Sequence, residues 1–215
     1  PNRLRRAARS RRWITNWAIV ILDTFTLRIV AIALPFLAIG AALEAEAAGI
    51  GLFTTLDWPF WLEALLAILI FDWLIWAQHW ATHQIPMLWR IHQVHHSDTD
   101  MDVTTAIRFH PIEIALSMLL KIGAVYILGP RALAILIFEV LLNGTAMFNH
   151  SNLRLPTRLE RRLRWFVVTP DMHRVHHSSL RADHDTNYGF ALSLWDRLFG
   201  TYKPEPEAGP NVSLG

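Results

Sequence analysis

Long apolar runs, separated by short polar stretches, divide the 215-residue chain. The first lies within residues 14–40 and is interrupted by Asp23, Arg28 and Pro35. The second covers 58–78, WPFWLEALLAILIFDWLIWAQ, with Trp towards both ends. The third and fourth, 112–128 and 131–149, are parted only by Gly129-Pro130. A helix needs about 20 apolar residues to cross a bilayer, and Gly-Pro ends one helix and starts a turn. The pattern predicts an all-α integral membrane protein with about four transmembrane helices. The last two form a tight hairpin, and the third is short enough to be tilted or re-entrant.

Composition agrees: 53% of the residues are hydrophobic, with 10 Trp and 11 Phe, and the mean hydropathy is +0.26. Such apolar runs exceed what a soluble domain of this length carries. The net charge is only +2, yet basic residues collect in RLRRAARSRR at the start and in RLERRLR, Arg158 to Arg164, after the last run. Basic segments beside apolar spans mark a cytoplasmic membrane edge, so nucleic acid is not an expected partner. Four crossings would put both termini, and the stretches 79–111 and 150–215, in the cytoplasm. The chain begins without Met, and its basic start enters the first apolar run without a small-residue cleavage site, which argues against a removed signal peptide. The absence of cysteine excludes disulfides, thiolate-bound zinc and cysteine-ligated iron–sulfur clusters within this chain. Residues 1–203 read as one domain, and 204–215, rich in Pro, Glu and Gly, as a flexible tail.

Histidine spacing carries the chemistry. HWATH places His79 and His83 four apart; HQVHH supplies His92, His95 and His96; HRVHH supplies His173, His176 and His177; His150 follows the fourth run. Residues three and four apart share a helix face, so each H-x-x-H-H presents three imidazoles over about a third of the circumference. Neutral imidazole is the commonest ligand for borderline metals. A lone H-x-x-x-H reads as a surface pair, and a triplet could serve as a pH-sensing patch, but two triplets plus a pair favour metal. Nine imidazoles exceed the four of a structural zinc and suit two ions with open positions. Nitrogen ligation differs from that of the glutamate-rich di-iron bundles. A saturated lipid C–H bond offers no handle to acid–base side chains, whereas oxygen activated at iron can attack it.

Other residues are read more plainly. His110 and His184 stand alone, as hydrogen-bonding or surface residues. Asp72, seven residues before His79 on the same helical face, either orients a ligand histidine or makes a helix–helix polar contact. Glu63 and Glu139 share that ambiguity. HWATH lacks the glutamate of the H-E-x-x-H zinc hydrolases.

HWATH, HQVHH with the following SDTDMDVTTAIRFHP, FNHSN, TPDMHRVHHS and NYGFALSLWDRLFGTY together resemble the fatty acid hydroxylase / sterol desaturase superfamily, from about Asp72 to Tyr202. The closing pattern is nearest to the bacterial members and to alkylglycerol monooxygenase. The resemblance implies a four-helix membrane part with a cytoplasmic helical cap carrying a di-iron centre, in a bacterial inner membrane. Position by position, the implied ligands are His79, His83, His92, His95, His96, His150, His173, His176 and His177. Some relatives carry a further histidine where this chain reads SNLRLP, so the tenth place falls to another protein ligand, to water or to an open position. His110 falls on a His-Pro step read as supporting or structural. Asn187 is expected either to fix the last triplet by a hydrogen bond or to cap a turn.

The resulting expectation is an oxygen-dependent di-iron enzyme hydroxylating a lipid, with neutral histidines as ligands. The same centre also suits desaturation or ether-lipid cleavage. A membrane protein that binds metal without redox activity is the rival from another class. Electrons must come from an external reductase, cytochrome, ferredoxin or reduced pterin, since no GxGxxG, CxxC or haem-attachment motif is present. Zinc can replace iron in purified material.

Overall fold

A computed structural model describes residues 8–33, 37–56, 58–207, 209 and 212–214. The helices are α1 (Arg9–Ala33), α2 (Ala38–Ala48), α3 (Phe60–Gln84), α4 (Pro86–His96), α5 (Pro111–Leu128), α6 (Ala132–Asn149), α7 (Thr157–Leu163), α8 (Pro170–His176), α9 (Arg181–His184) and α10 (Leu194–Leu198). Among the described residues, the only β structure is two isolated bridges, Val167 with Leu192 and Ser178 with Leu214.

Three of these helices, α3, α5 and α6, are long and apolar enough to cross a membrane. Their large apolar side chains point outwards in numbers that water would not tolerate: Leu65, Leu116, Leu119, Ile127, Leu133 and Val140 are all exposed. The second span is longer than the apolar run alone predicts. Helix α3 continues to Gln84, so HWATH forms its last turns.

The first expected span, 14–40, is two helices. Residues 34–36 lie outside the described residues, with α1 before them and α2 after. Helix α1 carries Arg9, Arg11, Arg12, Asp23 and Arg28 and is not among the three apolar helices. Helix α2, with 11 residues, is about 16 Å long at 1.5 Å per residue, too short to cross alone. The two nevertheless run from one end of the bundle to the other. At one end Arg12 is buried against the 98–105 loop, its Nε 2.6 Å from Asp98 Oδ1 and its Nη2 2.8 Å from Asp98 Oδ2. Such a two-pronged arginine–carboxylate contact holds both charges out of water. At the other end the loop after α2 crosses the α5–α6 turn, where Gly51 (φ 107) and Gly129 (φ 63) leave no room for a Cβ.

Local chemistry sets the helix ends. Pro86, Pro111 and Pro170 each open a helix, where a missing N–H costs nothing. Gly129 closes α5 in the left-handed conformation. Glu63 of α3 accepts from Arg131 N at 2.6 Å, satisfying a free donor at the start of α6. In the core, Ala38, Ala41, Ala42 and Ala45 of α2 pack with Phe71, Ile135 and Phe138. The loops and short helices of the C-terminal region cover the end of the bundle where α3 and α6 finish and α5 begins. The tail lies on this cap: Ser179 N donates to Ser213 O at 2.9 Å, and Val212 is buried.

Candidate metal centre

Four helices deliver their C-terminal ends to one layer under this cap. His79 and His83 sit in the last turns of α3, and His92, His95 and His96 end α4. His150 caps α6, while His173 and His176 end α8 with His177 as its cap. Helix C-termini carry partial negative charge, so the layer favours cations even before any side chain acts. All nine histidines are buried.

They form two groups, in each of which one ligand atom per residue lies within 4.8 Å of the others. The first is His79, His83, His92, His96 and His176; the second is His95, His150, His173 and His177. The division cuts across both triplets. In α4, His92 and His96 share one side and face the first group, whereas His95, about 100° away from His96, faces the second. In α8, His173 and His177 join the second group and His176 the first. H-x-x-H-H thus gives an i, i+4 pair to one centre and a single imidazole to its neighbour.

Hydrogen bonds assign the tautomers. His79 Nδ1 lies 2.7 Å from Tyr188 O, His95 Nδ1 3.1 Å from Arg108 O, His150 Nδ1 2.7 Å from Ala146 O and His176 Nδ1 2.8 Å from Thr186 O. A carbonyl only accepts, so these rings carry their proton on Nδ1 and turn a bare Nε2 inwards. His92 Nδ1 points at Glu113 Oε1, 2.6 Å away. Bare nitrogens then face each other: His79 Nε2 is 3.2 Å from His92 Nε2, and His95 Nε2 is 3.1 Å from His150 Nε2. Two lone pairs at that separation repel unless a cation lies between or beside them. His83 Nδ1 has only Asp185 Oδ1, at 3.4 Å, and Nε2 of His83, Nδ1 of His173 and Nε2 of His177 are buried without a hydrogen-bond partner. A buried polar atom needs one, and a metal ion supplies it. The donor set therefore fits metal ions, and the outward bonds are the kind that hold ligand rings in place. Replacing Glu113 by Gln is expected to weaken metal affinity by about 10- to 100-fold, measured by competition with a chelator of known affinity.

Burial, reinforced by neighbouring imidazoles, pushes His95, His96, His173, His176 and His177 well below the ordinary imidazole value. Burial lowers His150 to about 4, against an opposing bond to Ala146 O. The unfolded chain takes up these protons as the pH falls through about 6.5, while the folded chain resists. The stability these groups lend is thus present above about pH 6.5 and lost as the pH drops towards about 4. The metal-free protein should melt at steadily lower temperature between about pH 7 and 5. A constant melting temperature over that range would mean that the rings are open to water.

The remaining expected residues fall elsewhere. Asp72 accepts from Trp195 Nε1 at 2.9 Å and from Leu192 N at 3.2 Å, which ties α3 to the 192–195 segment. It is about 10 Å along the helix from His79, too far to orient that ring, so the polar-contact reading holds. His110 Nδ1 accepts from Ile112 N at 3.1 Å and caps α5. Asn187 bonds to backbone: Nδ2 donates to Met172 O and Lys203 O, and Oδ1 accepts from Lys203 N. Its influence on the rings is indirect, because the carbonyls on either side of it, Thr186 O and Tyr188 O, hold His176 and His79.

Sequence reasoning missed Glu113, although an acid in the first turn of an otherwise apolar helix is a usable signal. It also set His184 apart, yet that ring stacks on Trp89 at 5.1 Å and forms a third small group with His83 and Asp185. A cavity of about 150 Å³ meets the first group at His79 and His92 and extends between α3, α5 and α6.

Comparison with known proteins gives this geometry a family. Residues 64–201 match the family model for fatty acid hydroxylase, a stretch that contains all nine histidines. Over 150 residues the chain is 31% identical to an ornithine lipid hydroxylase of Rhizobium tropici, covering 70% of this chain and 44% of that protein. It is 32% identical over 154 residues to the alkylglycerol monooxygenase of Xenopus tropicalis (70% and 32%). It is 26% identical over 149 residues to the cholesterol 25-hydroxylase of Rattus norvegicus (68% and 48%). The matched part is thus less than half the length of each of these relatives. No solved structure matches the chain. With most of its length under the family model, and with the histidine groups lying inside that stretch, this chain belongs to the fatty acid hydroxylase family.

Proposed function

We propose that this protein is an integral membrane oxidoreductase that hydroxylates a C–H bond of a lipid, using molecular oxygen and electrons from an external donor. The observation that carries the reading is the pair of abutting histidine groups with bare inward nitrogens, placed at one end of a cavity between apolar helices. His79, His83, His92, His96 and His176 would hold one iron; His95, His150, His173 and His177 would hold the other. When bound, the irons supply the activation of oxygen that amino-acid side chains cannot. The chain keeps the imidazoles neutral by burial and fixes four of them through carbonyls and one through Glu113. It also shields the reacting carbon from bulk water beneath the cap. Zinc fits the same nitrogens in purified material and would leave the protein inactive.

The basic segments at 3–12 and 158–164 support a cytoplasmic site and cytoplasmic termini, with α1 and α2 together making the fourth crossing of a bacterial inner membrane. A cytochrome, ferredoxin, reduced pterin or separate reductase would feed electrons from that side.

A second reading draws support from the alkylglycerol monooxygenase relatives. Hydroxylation of a carbon next to an ether oxygen gives a hemiacetal, which falls apart to an aldehyde and an alcohol. The test serves both readings. Iron-loaded protein in liposomes of bacterial lipid, supplied with a reductant and oxygen-18 gas, should yield lipid or aldehyde containing oxygen-18. A reduced, iron-loaded sample that consumes no oxygen and labels no lipid would overturn both.

A further inference from the structure

The cavity below the first histidine group has a largely apolar wall, with Ile75, Phe109, Ile114, Leu142 and Phe190, into which a row of polar side chains is set. On α5 they are Glu113, Ser117 and Lys121, at i, i+4 and i+8; on α6, Glu139 and Asn143, at i and i+4; on α3, Gln78. Each set keeps to one helix face. At the end away from the histidines, Lys121 Nζ meets Glu139 Oε1 at 2.6 Å. Eight residues separate Glu113 from Lys121, so the pair lies about 12 Å from the histidine layer, near the middle of the span.

Charged groups at that depth are costly, and a slot for plain hydrocarbon would be lined with hydrocarbon. A pair that only tied α5 to α6 would not need Ser117 and Gln78 on the same cavity wall, and the three-residue turn already joins those helices. We infer that the Lys121–Glu139 pair is a subsite for the zwitterionic head group of the lipid substrate, its ammonium group on Glu139 and its anionic group on Lys121. A zwitterion replaces one ion pair by two and leaves no net charge in the membrane. A singly charged head group would strand one partner unpaired, which is strongly unfavourable when buried. The inference rests on the reading that a lipid occupies this cavity, but it concerns binding and is tested without turnover.

The metal-loaded protein in detergent, without reductant, is mixed with four lipids that share the same acyl chains, and retained lipid is read by native mass spectrometry. The four are an acylated amino-acid lipid with a free ammonium and carboxylate, phosphatidylethanolamine, phosphatidylglycerol and diacylglycerol. One or both zwitterions should be retained at least about tenfold over the other two, and the winner identifies the anion as carboxylate or phosphate. The double variant K121M/E139L removes the charges while keeping apolar packing, a change that buried ion pairs often tolerate. It should abolish the preference. Ser117→Leu blocks the route with the pair intact and should weaken retention by about tenfold. No zwitterion preference in the wild type, or a preference that survives in K121M/E139L, overturns the inference. Preference without any lipid oxidation would leave the subsite standing and count against the enzymatic reading alone.

Discussion

Replacing Asn187 by Val is expected to destabilise the protein by about 3–5 kcal/mol and to strip metal from the centre. Asn187 has φ 53, in the left-handed region that Asn tolerates. A β-branched residue there adds about 1–3 kcal/mol of strain. The change also removes the bonds to Met172 O, Lys203 O and Lys203 N, and each buried group left unpaired costs about 1–3 kcal/mol. The effect reaches the metal because Thr186 O and Tyr188 O, on either side, hold His176 and His79 in their tautomers. Asn187→Gly separates the causes: it relieves the strain but loses the side-chain bonds, so its stability should fall between wild type and Val. Thermal unfolding and metal analysis of both variants provide the check. A Val variant that melts like wild type, or that melts lower yet keeps its metal, would contradict this role.

The second large effect concerns the division of ligands. His83 belongs to the first group and His173 to the second. His83→Ala and His173→Ala should each leave about one ion per chain and lower lipid oxidation by at least about 100-fold, beyond the usual loss for outer partners. Metal analysis of the two purified variants, beside circular dichroism to show that each is folded, makes the comparison. If either substitution leaves two ions, the grouping is wrong.

What was legible from sequence follows from the range of each interaction. Helices α3, α5 and α6 were readable because an apolar run of spanning length is a local property, and Gly129-Pro130 is a local stop. The histidines were readable as ligand candidates because i, i+3 and i+4 spacing survives any packing of the helices. Their division into five and four was not, since it depends on how α4 and α8 are rotated towards one another. Glu113 and the carbonyls of Tyr188 and Thr186 escaped for the same reason: they meet His92, His79 and His176 only through the fold, the first two across 21 and 109 residues. Asp72 was ambiguous because its partner Trp195 lies 123 residues away. The first span was read as a single interrupted crossing because Asp23, Arg28 and Pro35 break its apolar run without marking α1 and α2 as two helices, while Arg12, which pairs with Asp98, reads in sequence as an ordinary flanking cation.

The identity and number of the metal ions that the histidines hold decide which chemistry this protein can perform. Protein produced in cells supplied with iron-57 and purified in detergent can be assayed for metal content and examined by Mössbauer spectroscopy, before and after exposure to oxygen in the presence of lipid. Two irons per chain, with a spectrum that changes only when oxygen is admitted, is the predicted result. One zinc, or no metal, persisting through iron supplementation would contradict it.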